Sequence, residues 1–377
     1  MLEAEDGKFR LSALVSRAKS TVDAVLCTSP ENIYYFSGFR TTLYTRFTAV
    51  LIKMDQPEVP LLIVSTIDRQ LIEDRIWSPP WGGKVIYHGP DRESDISPSP
   101  AAALKPYLDG VKRLGVDSLN LSEVDVITRA AIGIEFVQVV DLIHEIRKIK
   151  SEHEIKNLRQ ANQMAMMGIE MACTLLESLP ITELEIATRL ESDARLSGAD
   201  GFGYPTLVSC GKKITALHSP ALLREVEPHQ PIRIAFGPSV HGYTADVVRT
   251  LCIGKPPMEL IRMNDGFQIA QDQLLQMIRP GVSISAMLTV VEDIYTNRGL
   301  LPFWRNSIGH SVGLSVHETP RIAFGSESTL VEGMVVAVEP GLISPGFGGF
   351  WHCDIVVVRD SGSELISPEY QGIIVVE

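Results

Sequence analysis

Residues that could transfer protons or hold a metal ion are concentrated in the second half of this 377-residue chain. They are four histidines, three acids and one cysteine, and most lie beside glycine or proline: His218, Asp246, His310, His317, Glu339, His352, Cys353 and Asp354. Imidazole is the side chain best suited to proton transfer near neutral pH, and imidazoles with carboxylates also bind divalent ions. A single histidine is most often structural, so it is the grouping along the chain that predicts a polar pocket.

The elements around these residues are predicted from apolar periodicity. Strands are expected at four apolar runs: 232–237, 247–254, 334–339 and 354–360. Helices are expected after two capping boxes, Ser151 with Glu154 and Thr182 with Glu185, and at about 263–278 and 284–298. This half is therefore predicted to be α+β, with mostly antiparallel strands.

The first half of the chain alternates short apolar runs with amphipathic segments. Strands are predicted at 23–27, 47–53, 60–65, 84–88, 113–118 and 136–141. Such alternation indicates an α/β layer. The stretches 77–84 and 89–100 are predicted to be loops within it. We therefore expect two domains, an α/β domain at 1–148 and an α+β domain at 149–377.

Composition and charge exclude several classes of function. Apolar residues make up 45% and charged residues 21%, as in ordinary globular proteins. The net charge of −12 disfavours binding to a phosphate backbone. No apolar run approaches the roughly 20 residues needed to span a bilayer, and the N-terminus does not resemble a signal peptide. Five scattered cysteines without CxxC spacing favour a reducing compartment. We expect a cytoplasmic protein that binds neither nucleic acid nor membrane.

Several motifs together carry a family resemblance. They are TSPENIYYFSGF at 28–39, IRKIKSEHEIKNLRQAN at 146–162, and then GYTADVVRT, GHSVGL with VHETP, and GMVVAVEPG. In this order they resemble the creatinase/aminopeptidase P/prolidase family, whose C-terminal domain has the pita-bread fold. The resemblance implies that fold, a hydrolase activity on a small-molecule substrate, and a homodimer. In the peptidases of the family, two aspartates, one histidine and two glutamates hold two metal ions.

Two of those five ligands are replaced in this chain. The first family aspartate falls on Ala235 and the last glutamate on Cys353, while Asp246, His310 and Glu339 are retained. Two closely spaced cations need bridging carboxylates, so a dinuclear site is not expected. We expect no cofactor. The alternative is one zinc or similar ion held by Asp246, His310, Glu339 and Cys353, although four protein ligands suit a structural ion better than a catalytic one.

Creatinase, the member of the family that hydrolyses a C–N bond without metal, supplies the main functional prediction. The resemblance places its catalytic histidine at His218 and matches His310, His317 and Arg321. His218 would be the general acid or base, and His317 would stabilise developing charge. Glu339 would orient His310, and Arg321 would hold a substrate carboxylate. The remaining substrate-binding residues would be Asp246, Cys353, His352 and Arg46, the last on a segment that reaches a neighbouring subunit's pocket in relatives.

The predicted activity is therefore metal-independent hydrolysis of a C–N bond in a small carboxylate-bearing amidine, guanidino or amide compound. Three alternatives stay open: a metal-dependent Xaa-Pro-type peptidase with a mononuclear site, a catalytically inactive peptide- or protein-binding module, and a biosynthetic cyclase or lyase. The sequence Gly309-His310-Ser311-Val312-Gly313 also matches the nucleophile elbow of α/β-hydrolases. That reading is disfavoured because the elbow needs a helix directly after it, and Pro320 follows too closely.

Overall fold

The computed structural model describes residues 4–41, 46–73, 83–90, 98–367 and 372–377. The chain divides into two units, Met1–Arg147 and Lys148–Glu377. The division lies one residue before the boundary predicted from the sequence. Most of the predicted loop residues in 77–84 and 89–100 lie outside the described residues.

The N-terminal unit is built on one mixed six-stranded sheet in the order β4-β3-β2-β1-β5-β6. Its strands are β1 Ala24–Cys27, β2 Ala49–Lys53, β3 Leu61–Ser65, β4 Lys84–His88, β5 Arg113–Val116 and β6 Glu135–Gln138. Its helices are α1 Ala4–Ala18, α2 Pro30–Ser37, α3 Arg69–Glu73, α4 Pro100–Leu104, α5 Leu121–Ala130 and α6 Val140–Arg147. The predicted α/β class is confirmed.

The six predicted strands of this unit correspond to β1–β6, with one difference at the end. The strand predicted at 136–141 stops at Gln138, and helix α6 begins at Val140. The helix forms there because Ile143 and Ile146, three residues apart, both bury on one face. The apolar run therefore belongs to two elements.

In its described residues, the C-terminal unit contains four α-helices and several small sheets. The helices are α7 Glu152–Leu176, α8 Glu183–Leu196, α9 Met258–Met277 and α10 Ile284–Asn297. The strands are β7 Gly201–Phe202, β8 Leu207–Cys210, β9 Ile232–Phe236, β10 Pro238–Val240, β11 Tyr243–Thr244, β12 Val247–Ile253, β13 Ser307–Ser311, β14 Glu318–Ala323, β15 Val335–Val338, β16 Leu342–Ser344, β17 Gly348–Phe350, β18 Asp354–Arg359, β19 Gly362–Leu365 and β20 Ile374–Val376.

Two of these sheets carry the site described below. One has the order β20-β12-β9-β8 and the other the order β14-β13-β15-β18-β19. Neighbouring strands are antiparallel except β12 and β20, which are parallel. The predicted α+β character with mostly antiparallel pairing is confirmed.

The helices of this unit form where local signals favour them. Both predicted capping boxes are present, with Ser151 and Thr182 accepting from the backbone N–H of Glu154 and Glu185. Helices α7 and α8 bury one apolar face against the β8–β9–β12 strands. Helices α9 and α10 cover the second core, beneath the β13–β15–β18 strands. None of the described helices combines the length and apolar character needed to cross a bilayer.

A glycine allows strands β13 and β15 to approach closely. Gly309 has φ +142°, and a Cβ at this position would lie 1.8 Å from the carbonyl oxygen of Ala337. Only glycine fits, so the close pairing of β13 with β15 depends on it. That pairing places His310, on β13, close to Glu339, which directly follows β15.

The residue after β13 starts no helix, and Ser311 is fully buried, so the nucleophile-elbow reading is excluded.

Candidate metal centre

Three predicted site residues converge at the ends and edges of these strands. Asp246 lies just before β12, His310 lies on β13, and Glu339 lies just after β15. The Nε2 atom of His310 is 3.4 Å from a carboxylate oxygen of Asp246 and 3.4 Å from one of Glu339. One potential ligand atom from each residue lies within 4.8 Å of the others. The arrangement is that of a three-ligand group for a cation.

The centre is buried and its carboxylates face one imidazole. Asp246 is 5% and His310 5% exposed. Burial lowers the pKa of His310, but the neighbouring Asp246 and Glu339 carboxylates outweigh burial and raise it to about 10. Among the described residues Nε2 has no partner with hydrogen-bond geometry. Buried polar atoms normally have a hydrogen-bond partner. A buried ring nitrogen that faces two carboxylates without a hydrogen bond therefore fits the role of a metal ligand.

Two aromatic residues orient the carboxylates. The Tyr204 hydroxyl donates to Oδ1 of Asp246 at 2.7 Å, leaving Oδ2 toward His310. The Trp351 indole Nε1 donates to Oε2 of Glu339 at 2.9 Å, leaving Oε1 toward His310. In each carboxylate, one oxygen thus accepts a hydrogen bond from an aromatic side chain, and the other oxygen faces His310. Such outer partners fix the direction of ligand atoms.

A cavity of about 380 Å³ opens beside the centre. Its lining includes Asp246, Glu339, His218 and His317 together with the apolar side chains Leu207, Leu217, Val248 and Val316. Ala235 also lines it, opposite Val248 in the β9–β12 pairing. The position where the family resemblance places an aspartate therefore faces the cavity with a methyl group. The volume suits a small-molecule ligand.

Two further histidines that were predicted as site residues, His218 and His317, line this cavity. His218 is exposed and follows the short turn after β8. The ring of His317 meets the ring of His310 edge to face, with centroids 4.3 Å apart. Desolvation and then the positive charge of His310 lower the pKa of His317. The neutral imidazole is therefore favoured at His317.

Other predicted residues lie away from the cavity lining. His352 is 1% exposed and stacks on Phe350 at 4.5 Å, and burial followed by the charge of Arg249 holds its pKa well below the usual range. Cys353 is fully buried, and its thiol does not join the three-ligand group. Among the described residues the group comprises three of the four residues in the alternative ligand set, and Cys353 as a fourth ligand stays a prediction. Burial and then the charges of Asp246 and Glu339 hold the pKa of the Cys353 thiol well above its usual range.

Two predicted arginines are exposed. Arg321 lies on β14 opposite His310 in the strand pairing, outside the residues that line the cavity. Arg46 lies in the N-terminal unit and is exposed. The role predicted for Arg46 at a neighbouring subunit's pocket stays a prediction, as does the homodimer it requires.

Three residues of the site were not predicted from the sequence. Tyr204 and Trp351 carry no local signal, since an aromatic residue in a loop has many common uses. Arg233 did carry one: it interrupts the apolar run of β9 two residues before Ala235. A charged residue inside a fully buried strand is rare unless it has a partner. It lines the same cavity.

The fold and the site together define a class: a two-domain protein whose C-terminal domain carries a carboxylate–histidine group that could hold a metal ion. Residues 156–360 match the model of metallopeptidase family M24, and residues 10–149 match the creatinase/prolidase N-terminal domain. The chain belongs to metallopeptidase family M24 and has the creatinase/prolidase two-domain architecture. It is a hydrolase of that family.

Similar proteins span nearly the whole chain. An Xaa-Pro dipeptidase of Pyrococcus horikoshii is 26% identical over 355 residues, which are 93% of this chain and 93% of that protein. The structure of an Xaa-Pro dipeptidase from Bacillus anthracis is 25% identical with a TM-score of 0.85, covering 98% of this chain and 99% of that one. An X-Pro aminopeptidase from Thermotoga maritima is 27% identical with a TM-score of 0.83, covering 97% and 100%.

These findings correct two predictions. The metal-independent, creatinase-like hydrolysis of an amidine, guanidino or amide compound is wrong, because the relatives that match nearly the whole chain are Xaa-Pro peptidases. The absence of a cofactor is also wrong, since the matching family is one of metallopeptidases and a three-ligand group is present. The loss of two ligands argued against a pair of ions. It does not argue against one ion, for which three ligands are enough.

Proposed function

We propose that this protein is a metal-dependent peptidase that hydrolyses the bond before proline in small peptides, with one divalent ion held by Asp246, His310 and Glu339. The observation that carries the proposal is the buried three-ligand group beside a cavity of about 380 Å³. The similarity to Xaa-Pro dipeptidases over 93% of the chain supports the substrate class. The mononuclear site was an alternative that the sequence left open.

The ligand set fits one catalytic ion. Three protein ligands leave a coordination position free for water or substrate, whereas a fourth ligand from Cys353 would have closed the shell. With the thiol outside the group, the donors are two carboxylates and one imidazole, a set that accepts Mn²⁺ as well as Zn²⁺. A second ion lacks the carboxylate that Ala235 replaces. The three ligands together therefore support one ion and not two.

The bound ion would supply Lewis-acid polarisation of the scissile carbonyl. The protein's own groups would do the rest. His218, exposed at the cavity, would exchange a proton with the departing amine or the attacking water. His317, favoured as the neutral imidazole, can donate a hydrogen bond to developing negative charge. Tyr204 and Trp351 keep the two carboxylates directed at the centre.

The cavity walls suit a proline ring. The cavity is lined by Leu207, Leu217, Val248 and Trp351 beside Asp246 and Glu339. A prolyl amide has no N–H, so its ring can pack on apolar walls without leaving a donor unpaired. If the residue after the scissile bond were not proline, its peptide N–H would face the apolar wall of the cavity without a hydrogen-bond acceptor, which is unfavourable. This would favour proline after the scissile bond.

Metal content and hydrolysis test the proposal together. Untagged protein should contain about one divalent ion per chain by inductively coupled plasma mass spectrometry. It should hydrolyse Gly-Pro in preference to Gly-Ala, and chelation should abolish turnover until Mn²⁺ or Zn²⁺ is restored. His310→Ala should lose both ion and activity. The matched control His229→Asn, an exposed histidine with φ 59°, should keep both.

Two results would contradict the proposal. One is chelator-insensitive hydrolysis of Gly-Pro by protein without metal. The other is a bound ion that persists in His310→Ala, which would place the ion elsewhere. Metal-loaded protein with no activity on any Xaa-Pro peptide would support the predicted binding module instead of a peptidase.

A further inference from the structure

One cation in the cavity wall has no role in the metal centre. Arg233 lies on β9 and is 4% exposed. It is two residues from Ala235, and side chains at such spacing share one face of a strand. Both line the cavity. Arg233 therefore lines the same cavity as the carboxylates Asp246 and Glu339, and it lies on the strand where the family resemblance places an aspartate.

Arg233 forms no ion pair among the described residues. One Nη atom donates to the carbonyl oxygen of Leu217, and Nε has no hydrogen-bond partner. Within the described part of the chain, no carboxylate forms an ion pair with it. Arg249, on the adjacent strand β12 and also buried, is paired with Asp354 at 2.6 Å. Of these two buried arginines on adjacent strands, Arg249 forms an ion pair with a carboxylate and Arg233 forms none among the described residues.

A buried, unpaired guanidinium is costly and calls for a partner. Removing a charge from water without a counter-charge costs several kcal/mol in proteins. Burial lowers the pKa of Arg233 to about 10, which still leaves it protonated at neutral pH, and Tyr204 and Glu339 act in the opposite direction. The planar fork of the guanidinium matches a carboxylate in two parallel hydrogen bonds.

We propose that Arg233 binds the free carboxylate of the substrate inside this cavity. The identity of the substrate rests on the proposed peptidase function, but the carboxylate site does not. In an Xaa-Pro dipeptide the carboxyl carbon is two bonds from the scissile nitrogen, so a group that holds it must lie in the same cavity as the ion. Arg233 does so, whereas Arg321, predicted for this role, lies outside the lining. The substrates would then be dipeptides or N-acylprolines, not longer peptides.

The test compares two ligands that differ only in charge, N-acetyl-L-proline and N-acetyl-L-prolinamide. Their dissociation constants would be measured by isothermal titration calorimetry on chelated protein, which should not hydrolyse either ligand, so that binding is measured without turnover. Wild-type protein should bind the acid about 10- to 100-fold more tightly than the amide, as expected for hydrogen bonds to a buried charged group. Arg233→Met should lose this preference and keep its affinity for the amide.

Two further variants separate recognition from structure. Arg233→Lys keeps the positive charge but lacks the planar pair of guanidinium donors, so it should retain part of the preference for the acid over the amide. Arg305→Met, an exposed arginine outside the cavity lining, should retain all of it. Removing an unpaired buried charge should leave the melting temperature of Arg233→Met equal or higher. If that variant does not fold, Arg233→Lys decides: an equal loss for acid and amide would overturn the proposal.

The outcomes for the two proposals can be told apart. If Gly-Pro is hydrolysed and Arg233→Met keeps the wild-type ratio of KM values for Gly-Pro and Gly-Pro amide, the peptidase stands and the role of Arg233 is refuted. If no Xaa-Pro peptide is hydrolysed but the acid preference depends on Arg233, the carboxylate site stands and the peptidase is refuted.

Discussion

The hydrogen bond from Tyr204 to Asp246 provides a quantitative test of the metal centre. Tyr204→Phe removes a hydroxyl that lies 2.7 Å from Oδ1 while leaving the ring in place. Burial and then the charge of Asp246 hold the pKa of Tyr204 well above its usual range, so the hydroxyl stays a donor. A hydrogen bond to a charged group contributes about 1.5–3 kcal/mol. At about 1.4 kcal/mol per tenfold, metal affinity should fall about 10- to 100-fold.

The assay is competition for Zn²⁺ or Mn²⁺ against a chelator of known affinity, with urea unfolding of the chelated protein alongside. Tyr243→Phe is the matched control, because that buried tyrosine also donates to a carboxylate at 2.7 Å, that of Glu154, and neither residue is part of the metal centre. It should lower stability by about 1–3 kcal/mol and leave metal affinity unchanged. Equal metal affinity in Tyr204→Phe and wild type would refute the reasoning that this contact directs Asp246 to the ion.

Three further predictions address the centre, the catalytic group and the loop that carries it. Restoring Asp at Ala235 together with Glu at Cys353 should raise metal content from about one to about two ions per chain, and an unchanged content would show that the missing carboxylates are not the reason for a single ion. His218→Asn should lower kcat about 100-fold or more at unchanged metal content, whereas a change confined to KM would exclude a role in proton transfer. Glu183→Ala should cost about 3–5 kcal/mol in urea unfolding, because it leaves Lys213 buried without its counter-charge, and a loss within error would mean that water reaches the pair.

The fold could be predicted where its signals are local. The capping boxes at Ser151 and Thr182 form as predicted, because a hydroxyl and a glutamate three residues apart satisfy backbone donors with no help from the rest of the chain. Strand β14 is absent from the predicted strands, because Pro320 and the polar residues beside it give no apolar run. Its burial alternates, with Pro320 and Ile322 buried and Arg321 exposed, which is the pattern of a proline on an edge strand.

The sequence could predict which residues are candidates for the site, but not which of their side chains reach it. Asp246, His310 and Glu339 could be predicted as ligands because they lie in motifs that follow one another in the order of the family. The structure brings their ligand atoms together. His352 and Cys353 are both predicted to bind substrate on the basis of the family resemblance, and they are neighbours in sequence. Which of two adjacent residues points to a cavity depends on strand register and packing, and here His352 packs among aromatic rings while the thiol of Cys353 stays outside the ligand group.

A balance of charge connects the substitutions at this site. In the two-ion pattern that the family resemblance implies, four carboxylates face two divalent cations, and their formal charges cancel. Here two carboxylates remain, Asp246 and Glu339, and the one divalent ion that we propose would cancel them. Arg233, on the same face of β9 as Ala235, adds one positive charge with which no carboxylate of the described residues forms an ion pair. A buried excess charge is expensive in the free protein and is relieved only by an anion. If one ion binds as proposed, the alanine at position 235 and the arginine at position 233 would together leave the cavity with one excess positive charge, which the proposed carboxylate substrate would neutralise.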